Sequence, residues 1–353
     1  MRSLAFGLLS GLAILVAACK GAAPETVSPL PGEEAWDLAA VRSELVDASC
    51  PDEVGEGFQL SFLVAADAVA LGAPDRIEKT VTGLSYLGGW ALSATPASFG
   101  GLSGLKVMPS GDLLAVSDAG ALVELGFDQT AVQPTGEATL SFLRGGNGEM
   151  LTGKAEADSE GLDYADGIAL VSFERDHRIA AFAYGVCGSN ARAVPVSSFA
   201  DRPETPALSI PGNSGPEALM LRDGQLVAGL ETVVDGRSPV AVVDEAGVPQ
   251  FAALDWYQGE RLPLVGFDAL DGVVYALHRA WNPLTGNSLL VTKHAPDEEP
   301  VTLARLSRPL TVDNFEGIAV SQRPDGSTRL FLIADDNFSD DQQTLLFAFE
   351  VTG

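Results

Sequence analysis

From Gly57 onward the apolar residues come in short runs that are β-branched or alternate with polar positions, and glycine and proline recur between them. No apolar period of three to four residues lasts long enough for a long helix. This is the pattern of strands and tight turns. It continues to the C-terminus without a linker, so residues 57–353 are expected to form one all-β domain. Before it, Trp36 to Val46 has the composition of one short helix.

Five segments of the domain repeat one scheme: a strand, a turn with Asp-Gly or Ser-Gly, and a second strand that ends on a polar or charged residue. Ser103-Gly104-Leu105 leads through Ser110-Gly111 to Ser117-Asp118, and Glu160-Gly161-Leu162 through Asp166-Gly167 to Phe173-Glu174. Glu217-Ala218-Leu219 leads through Asp223-Gly224 to Leu230-Glu231, and Val265-Gly266-Phe267 through Asp271-Gly272 to His278-Arg279. Glu316-Gly317-Ile318 leads through Asp325-Gly326 to Ala334-Asp335. The starts at 103, 160, 217, 265 and 316 lie 57, 57, 48 and 51 residues apart, close to one four-stranded propeller blade. A β-propeller is therefore expected. A sixth blade made from Leu84–Trp90 and Thr344–Val351 would close the ring, so the expected count is six, with five or seven also compatible. A β-sandwich would not explain acids recurring in register.

The N-terminal end changes the picture of where this domain resides. Met1-Arg2-Ser3 precedes an apolar run from Leu4 to Val16, shorter than the about 20 residues that span a bilayer. The run closes on Val16-Ala17-Ala18-Cys19, which resembles a bacterial lipobox, so residues 1–18 read as a signal peptide and Cys19 as the lipidated first residue. Residues 19–56, rich in Ala, Pro, Glu and Ser, read as a spacer between the lipid and the domain. The expected location is the bacterial cell envelope, with the membrane held only through the anchor at Cys19; the missing aspartate after the cysteine leaves inner or outer membrane open.

Net charge is −27, and removing the signal takes away Arg2 and no acid, giving −28. Such an excess repels nucleic acid and anionic lipid and suits divalent cations. A monomer is expected. The remaining cysteines, Cys50 and Cys187, are either a disulfide of an oxidising compartment or two separate buried thiols.

The repeat places Glu160, Glu217 and Glu316 at equivalent strand starts, which in a propeller face the central channel. Carboxylates gathered there need a cation or protons, and hard oxygen donors favour Ca²⁺ or Mg²⁺; the alternative is that each glutamate caps its own turn. Asp335-Asp336-Asn337-Phe338 follows a strand and is either a solvated turn or a calcium or substrate loop. In Ser172-Phe173-Glu174-Arg175-Asp176-His177-Arg178, extended alternation would put Glu174, Asp176 and Arg178 on one side and Arg175 and His177 on the other; Arg175 or Arg178 could hold an anionic substrate, or the run is a solvated loop. No HExxH helix, phosphate-cradling GxxxxGKS/T loop or nucleophile elbow occurs.

Several pieces, in order from about residue 80 onward, resemble the phytase-like family (esterase-like activity of phytase) of secreted bacterial proteins. They are Gly100-Gly101-Leu102-Ser103-Gly104-Leu105 with Ser117-Asp118, Asp158-Ser159-Glu160-Gly161-Leu162 with Ser172-Phe173-Glu174-Arg175, Asn213-Ser214-Gly215-Pro216-Glu217-Ala218, Asn314-Phe315-Glu316-Gly317-Ile318, and Asp335-Asp336-Asn337-Phe338 with Gln342-Gln343-Thr344. Ala218 departs from the Asn-x-Gly-x-Glu-Gly pattern. The resemblance implies a propeller that hydrolyses a small phosphate or carboxylic ester, and the absence of RHGxRxP implies metal assistance. It implies calcium on Glu160, Glu217, Glu316, Asp335 and Asp336, catalysis by Glu160, Glu174 and Arg175, and substrate contacts from Arg175, Arg178 and Asn337. A calcium-dependent lactonase or carboxylic esterase, and a non-catalytic binding propeller of the envelope, are the alternatives.

The lipobox predicts that Cys19→Ala releases the protein from membranes or blocks its maturation. Mass spectrometry of membrane-extracted protein checks it: the expected N-terminus is an acylated Cys19, and a soluble chain with an unmodified Cys19 would overturn the assignment.

Overall fold

In the computed structural model the Asp-Gly turns adopt the conformation that joins tightly twisted strands: φ is 50° and 83° at Asp166 and Gly167, 51° and 84° at Asp223 and Gly224, and 51° and 76° at Asp271 and Gly272. Two consecutive positive φ values make a two-residue hairpin loop of the kind that asparagine, aspartate and glycine tolerate. The structure describes residues 35–51, 58–202, 208, 210, 212–251, 261–296 and 298–353. The signal segment, Cys19 and most of the spacer lie outside them.

Two strands come first, β1 (Gln59–Ala68) and β2 (Leu84–Ala94). The first repeat forms β3 (Leu102–Val107), β4 (Leu113–Ser117), β5 (Ala121–Asp128) and β6 (Gln133–Phe142). The second forms β7 (Ser159–Ala165), β8 (Ile168–Phe173), β9 (Arg178–Phe182) and β10 (Val194–Ser198). The third forms β11 (Pro216–Arg222), β12 (Gln225–Leu230), β13 (Val240–Val243) and β14 (Pro249–Phe251). The fourth forms β15 (Leu264–Leu270), β16 (Val273–Asn282), β17 (Gly286–His294) and β18 (Val301–Ser307). The fifth forms β19 (Asn314–Gln322), β20 (Thr328–Asp335) and β21 (Thr344–Val351), and β2 completes it in the order β19-β20-β21-β2.

The strands expected to build a sixth unit thus finish the fifth. Leu84 pairs with Val351 and Leu92 with Thr344, as the expected pairing of N- and C-terminal chain requires. The reason no sixth unit arises among the described residues is that β19 and β20 need two outer partners, and β21 and β2 supply them. β1 then straps the ring from outside: Gln59–Leu63 pair with β6 and Val64–Ala68 with β2. Apolar side chains fill the space between neighbouring sheets, as where Phe315, Phe347 and Phe349 meet Leu277, Val291 and Leu303.

The innermost strands pack in a closed circuit, β3 on β7, β7 on β11, β11 on β15, β15 on β19 and β19 on β3. Glycines permit the approach. A Cβ on Gly104 would stand 2.7 Å from the carbonyl of Glu160, on Gly266 2.5 Å from that of Glu316, and on Gly317 2.9 Å from that of Ser103. Gly161 lies closer still to the carbonyl of Glu217. In the channel these strands enclose, Lys106 of β3 reaches Asp163 of β7 at 3.0 Å and Asp268 of β15 at 2.5 Å. Burial pulls the Lys106 ammonium down, but the two carboxylates outweigh it and hold it above its ordinary value. Each aspartate also accepts a backbone N–H from another inner strand, Leu221 at 2.7 Å and Val320 at 2.8 Å.

The helix expected near residues 36–46 runs from Leu38 to Ser49 and is capped by Asp37, whose carboxylate accepts the N–H of Ala39 at 2.7 Å. It is part of the domain: Trp36, Leu38 and Leu45 are buried in the core beside Leu170, Ile179 and Leu226. The spacer is corrected accordingly at its C-terminal end, because the apolar face of this helix has the outside of the second and third units to cover. Cys50 at its end is joined to Cys187, with Cα atoms 5.7 Å apart, so of the two readings of these cysteines the structure has the disulfide.

Gly161→Ala is expected to lower unfolding free energy by about 1–3 kcal/mol, since the new methyl meets fixed backbone of the neighbouring strand. Ala218→Gly, at the equivalent position of the third unit, is expected to cost at most about 1 kcal/mol. Urea titration of the two variants checks the contrast; equal effects would mean that the inner strands are not held at this separation.

Candidate functional site

Every inner strand carries a β-bulge where the repeat places its recurring residue. Register slips between Leu102 and Gly104, Ser159 and Leu162, Pro216 and Ala218, Leu264 and Gly266, and Phe315 and Gly317. The residues set out of register are Ser103, Glu160, Glu217, Val265 and Glu316. A bulge re-aims a side chain. Beside each bulge the second strand ends, except that β16 runs on past Arg279 to Asn282, and backbone bonds join the two: Asp118 N–H to the carbonyl of Gly101, Glu174 to Asp158, Glu231 to Gly215 and Arg279 to Pro263. Asn314 pairs with Asp335 in the fifth unit. One end of the channel therefore gathers Glu160, Glu217 and Glu316 from the bulges and Asp118, Glu174, Glu231, Arg279 and Asp335 from the strand ends.

These residues divide into two groups. On one side Arg279 of the fourth unit donates to Glu231 at 3.1 Å and to Glu316 at 2.9 Å, and Glu217 lies in the same field. Arg279 is largely buried, so its charge acts at low dielectric on the acids of two other units. On the other side Asp158, Glu160 and Glu174 of the second unit bring a carboxylate oxygen each to within 4.8 Å of one another. Lys154 lies 3.1 Å from Asp118 and 3.3 Å from Asp158, and the Arg175 Nε donates to Asp158 at 2.7 Å. Lys154 and Arg175 are half exposed or more, whereas Asp118 and Asp158 are buried. Oδ1 of Asp118 lacks a hydrogen-bond partner, whereas Oδ1 of Asp158 is the oxygen that faces Lys154.

Burial and crowding push these carboxyls upward. Glu160 is held well above its ordinary value by burial, then by Glu316, Asp158 and Asp118, and Glu217 likewise by burial, then by Glu231, Glu160 and Glu316. Burial and the neighbouring Asp158 raise Glu174 to about 7. Burial and Glu316 raise Asp335 to about 8.

The residues singled out from sequence fall into distinct places. Glu160 and Glu174 stand together, with Arg175 on their partner Asp158. Glu217 and Glu316 reach the same end of the channel but face Arg279, which already supplies a counter-charge. Asp335 lies beside Glu316 and accepts from Asn337 N–H at 2.6 Å. Asp336 is committed to structure: it accepts from the backbone of Gly101 and Phe338 and from the Thr344 hydroxyl, which leaves it poorly placed as a ligand. Asn337 is exposed and donates to Gln342. Residues 174–177 form a turn, not an extended run, so the expected alternation of sides does not occur. Arg178, after the turn, pairs with Asp176, donates to the carbonyl of Glu156 and lies 3.9 Å over the Phe173 ring. Two of its donors are thus used by neighbouring chain. Asp118, Glu231 and Arg279 were not assigned a role from sequence, although each occupies the same place in its repeat. Asp158 precedes a bulge, and Lys154 comes from a connection outside the repeat.

In the absence of a bound cation, folded protein holds protons on Glu174 and Asp335 that the unfolded chain releases near the ordinary carboxylate values. Stability from these groups is complete below about pH 4 and is lost as pH rises through 7 to 8. In chelator the melting temperature should fall between about pH 4.5 and 8.5, and the double variant Glu174→Gln, Asp335→Asn should flatten that fall. A wild-type melting temperature that rises over the interval would contradict the assignment.

A family model described as "Phytase-like: Esterase-like activity of phytase" matches residues 97–338. No curated protein matches the chain. Among solved structures it is similar to the PQQ-bound aldose sugar dehydrogenase of Streptomyces coelicolor, with 15% identity and a TM-score of 0.41 over 82% of this chain and 98% of that one. The glutaminyl cyclase of Myxococcus xanthus gives 15% identity and 0.45 over 76% and 97%, and the calcium-binding protein regucalcin of Agrobacterium tumefaciens 16% and 0.36 over 77% and 90%. The matched span takes in every unit of the ring and all the mouth residues, and the chain belongs to the phytase-like family.

Proposed function

We propose that this chain is an envelope-exported, lipid-anchored monomer whose domain is a five-bladed propeller that hydrolyses a small ester at the acidic mouth of its channel. The observation that carries this reading is the group of Asp158, Glu160 and Glu174, three carboxylates each with an oxygen within 4.8 Å of the others. Its donors are all hard oxygens, which fits calcium or magnesium. Asp158, Glu160 and Glu174 would hold the ion. When bound, such an ion supplies a Lewis acid for an ester oxygen.

The remaining roles belong to side chains. A carboxylate oxygen of Glu160 or Glu174 not engaged by the ion would take a proton from water at the ester and return it to the departing alcohol. Arg175 uses Nε on Asp158, which fixes the guanidinium at the rim and directs its other donors outward to an anionic substrate. Its φ of 39° is a conformation that side chains other than glycine rarely adopt, and strain of this kind is kept where position matters. Arg279 gives the opposite acids Glu231 and Glu316 a counter-charge from within the chain. The Arg175 and Lys154 pair favours a phosphate ester over a lactone or neutral carboxylic ester.

A panel of aryl phosphates, aryl carboxylates and lactones, with and without calcium, tests the proposal. Aryl phosphate turnover that chelator abolishes is expected, with Glu160→Gln and Glu174→Gln lowering kcat at least about a hundredfold. Turnover indifferent to chelator and to both substitutions would overturn it. No turnover of any ester, with a protein partner crosslinked at the envelope, would favour a binding propeller.

A further inference from the structure

One side chain at the mouth has no structural reason to be where it is. Phe338 is 45% exposed, yet its ring lies against Gly100 and Gly101, where a Cβ on Gly101 would stand 2.5 Å and one on Gly100 3.1 Å from ring carbons. Asn337 and Phe338 both have positive φ, 50° and 48°, a region that asparagine tolerates and a bulky side chain such as Phe rarely enters. Asp336 maintains this turn, since its Oδ1 accepts both Gly101 N–H at 2.9 Å and Phe338 N–H at 3.0 Å while Oδ2 accepts the Thr344 hydroxyl at 2.7 Å. An aromatic ring so fixed and left open to water offers a face to something.

What it adjoins says what that is. Gly101, under the ring, also lies against Oδ1 of Asp118, and Oδ2 of the same carboxylate holds Lys154 at 3.1 Å. Arg175 is joined to Lys154 through Asp158. A chain of contacts through Gly101, Asp118 and Asp158 therefore joins the exposed ring of Phe338 to two exposed cations, Lys154 and Arg175, on one side of the mouth. Acids outnumber cations there, which repels a substrate with many negative charges.

We propose that Phe338 is a substrate platform and Lys154 an anion contact, so that the ester taken by this site is a phosphate monoester of an aromatic or apolar alcohol and not a polyphosphorylated sugar. The inference rests on the ester-hydrolase reading of the same mouth.

Phenylphosphonate and methylphosphonate, which share an anion and differ in the ring, test it by calorimetry with the calcium-loaded full chain. Wild type should bind the phenyl compound about five- to tenfold more tightly, the size of one aromatic contact. Phe338→Ser should remove that preference and leave methylphosphonate unchanged, Phe338→Trp should keep it, and Lys154→Gln should weaken both. Equal binding of the two by wild type, no binding of either, or a preference that survives Phe338→Ser would overturn the proposal. Neither compound has an ester bond, so a preference that follows Phe338 in a chain unable to turn over any ester would leave the recognition standing and remove the hydrolase reading.

Discussion

Closing five inner strands on one axis forces the bulged residue of each, and the last residue of each neighbouring strand, to the same end of a narrow channel, and most of those residues are acids. Two carboxylates 4 Å apart repel by about 4 kcal/mol at an effective dielectric of 20, so several together rival the net stability of a domain. The fold can keep them only by supplying positive charge or protons. Three cations answer part of this need: Arg279 between Glu231 and Glu316, and Lys154 and Arg175 on Asp118 and Asp158. The group around Glu160 retains the excess.

The channel interior shows the same problem solved within the chain. Lys106 stands between Asp163 and Asp268, and both aspartates take a backbone N–H as well, so each buried carboxylate has a cation and a backbone donor. Such a centre is structural. At the mouth the cations Lys154 and Arg175 are partly exposed and the carboxylates outnumber them, which is a poor way to stabilise a ring and a good way to receive a cation and an anionic ester together.

The hairpin repeat, its turns and the convergence of Glu160, Glu217 and Glu316 were legible in the sequence because each depends on local pattern: alternation, turn dipeptides, and a residue recurring at one register. The number of units was less so, since nothing local tells whether 84–94 and 344–351 form a sheet of their own or finish that of β19 and β20. Arg279 was visible as the one basic residue among acidic strand ends, but its reach across to Glu231 and Glu316 depends on ring closure. Lys154 lies in a connection that no repeat marks. The turn at 174–177 defeated a reading by alternation, which placed Arg178 at the site when its donors are taken by Asp176, Glu156 and the face of Phe173. The bulges explain why the glutamates face the axis at all, and a bulge leaves little trace in sequence beyond the small residue that follows it.

Diffraction from crystals grown in calcium, with anomalous scattering to identify the ion, tests the central claim that unbalanced carboxylate at the mouth is a cation site. The account predicts one ion with oxygens of Asp158, Glu160 and Glu174 at about 2.3–2.6 Å, and Arg279 still on Glu231 and Glu316. No ion there at saturating calcium, with Lys154 and Arg175 folded further onto Asp158 and Glu160, would contradict it.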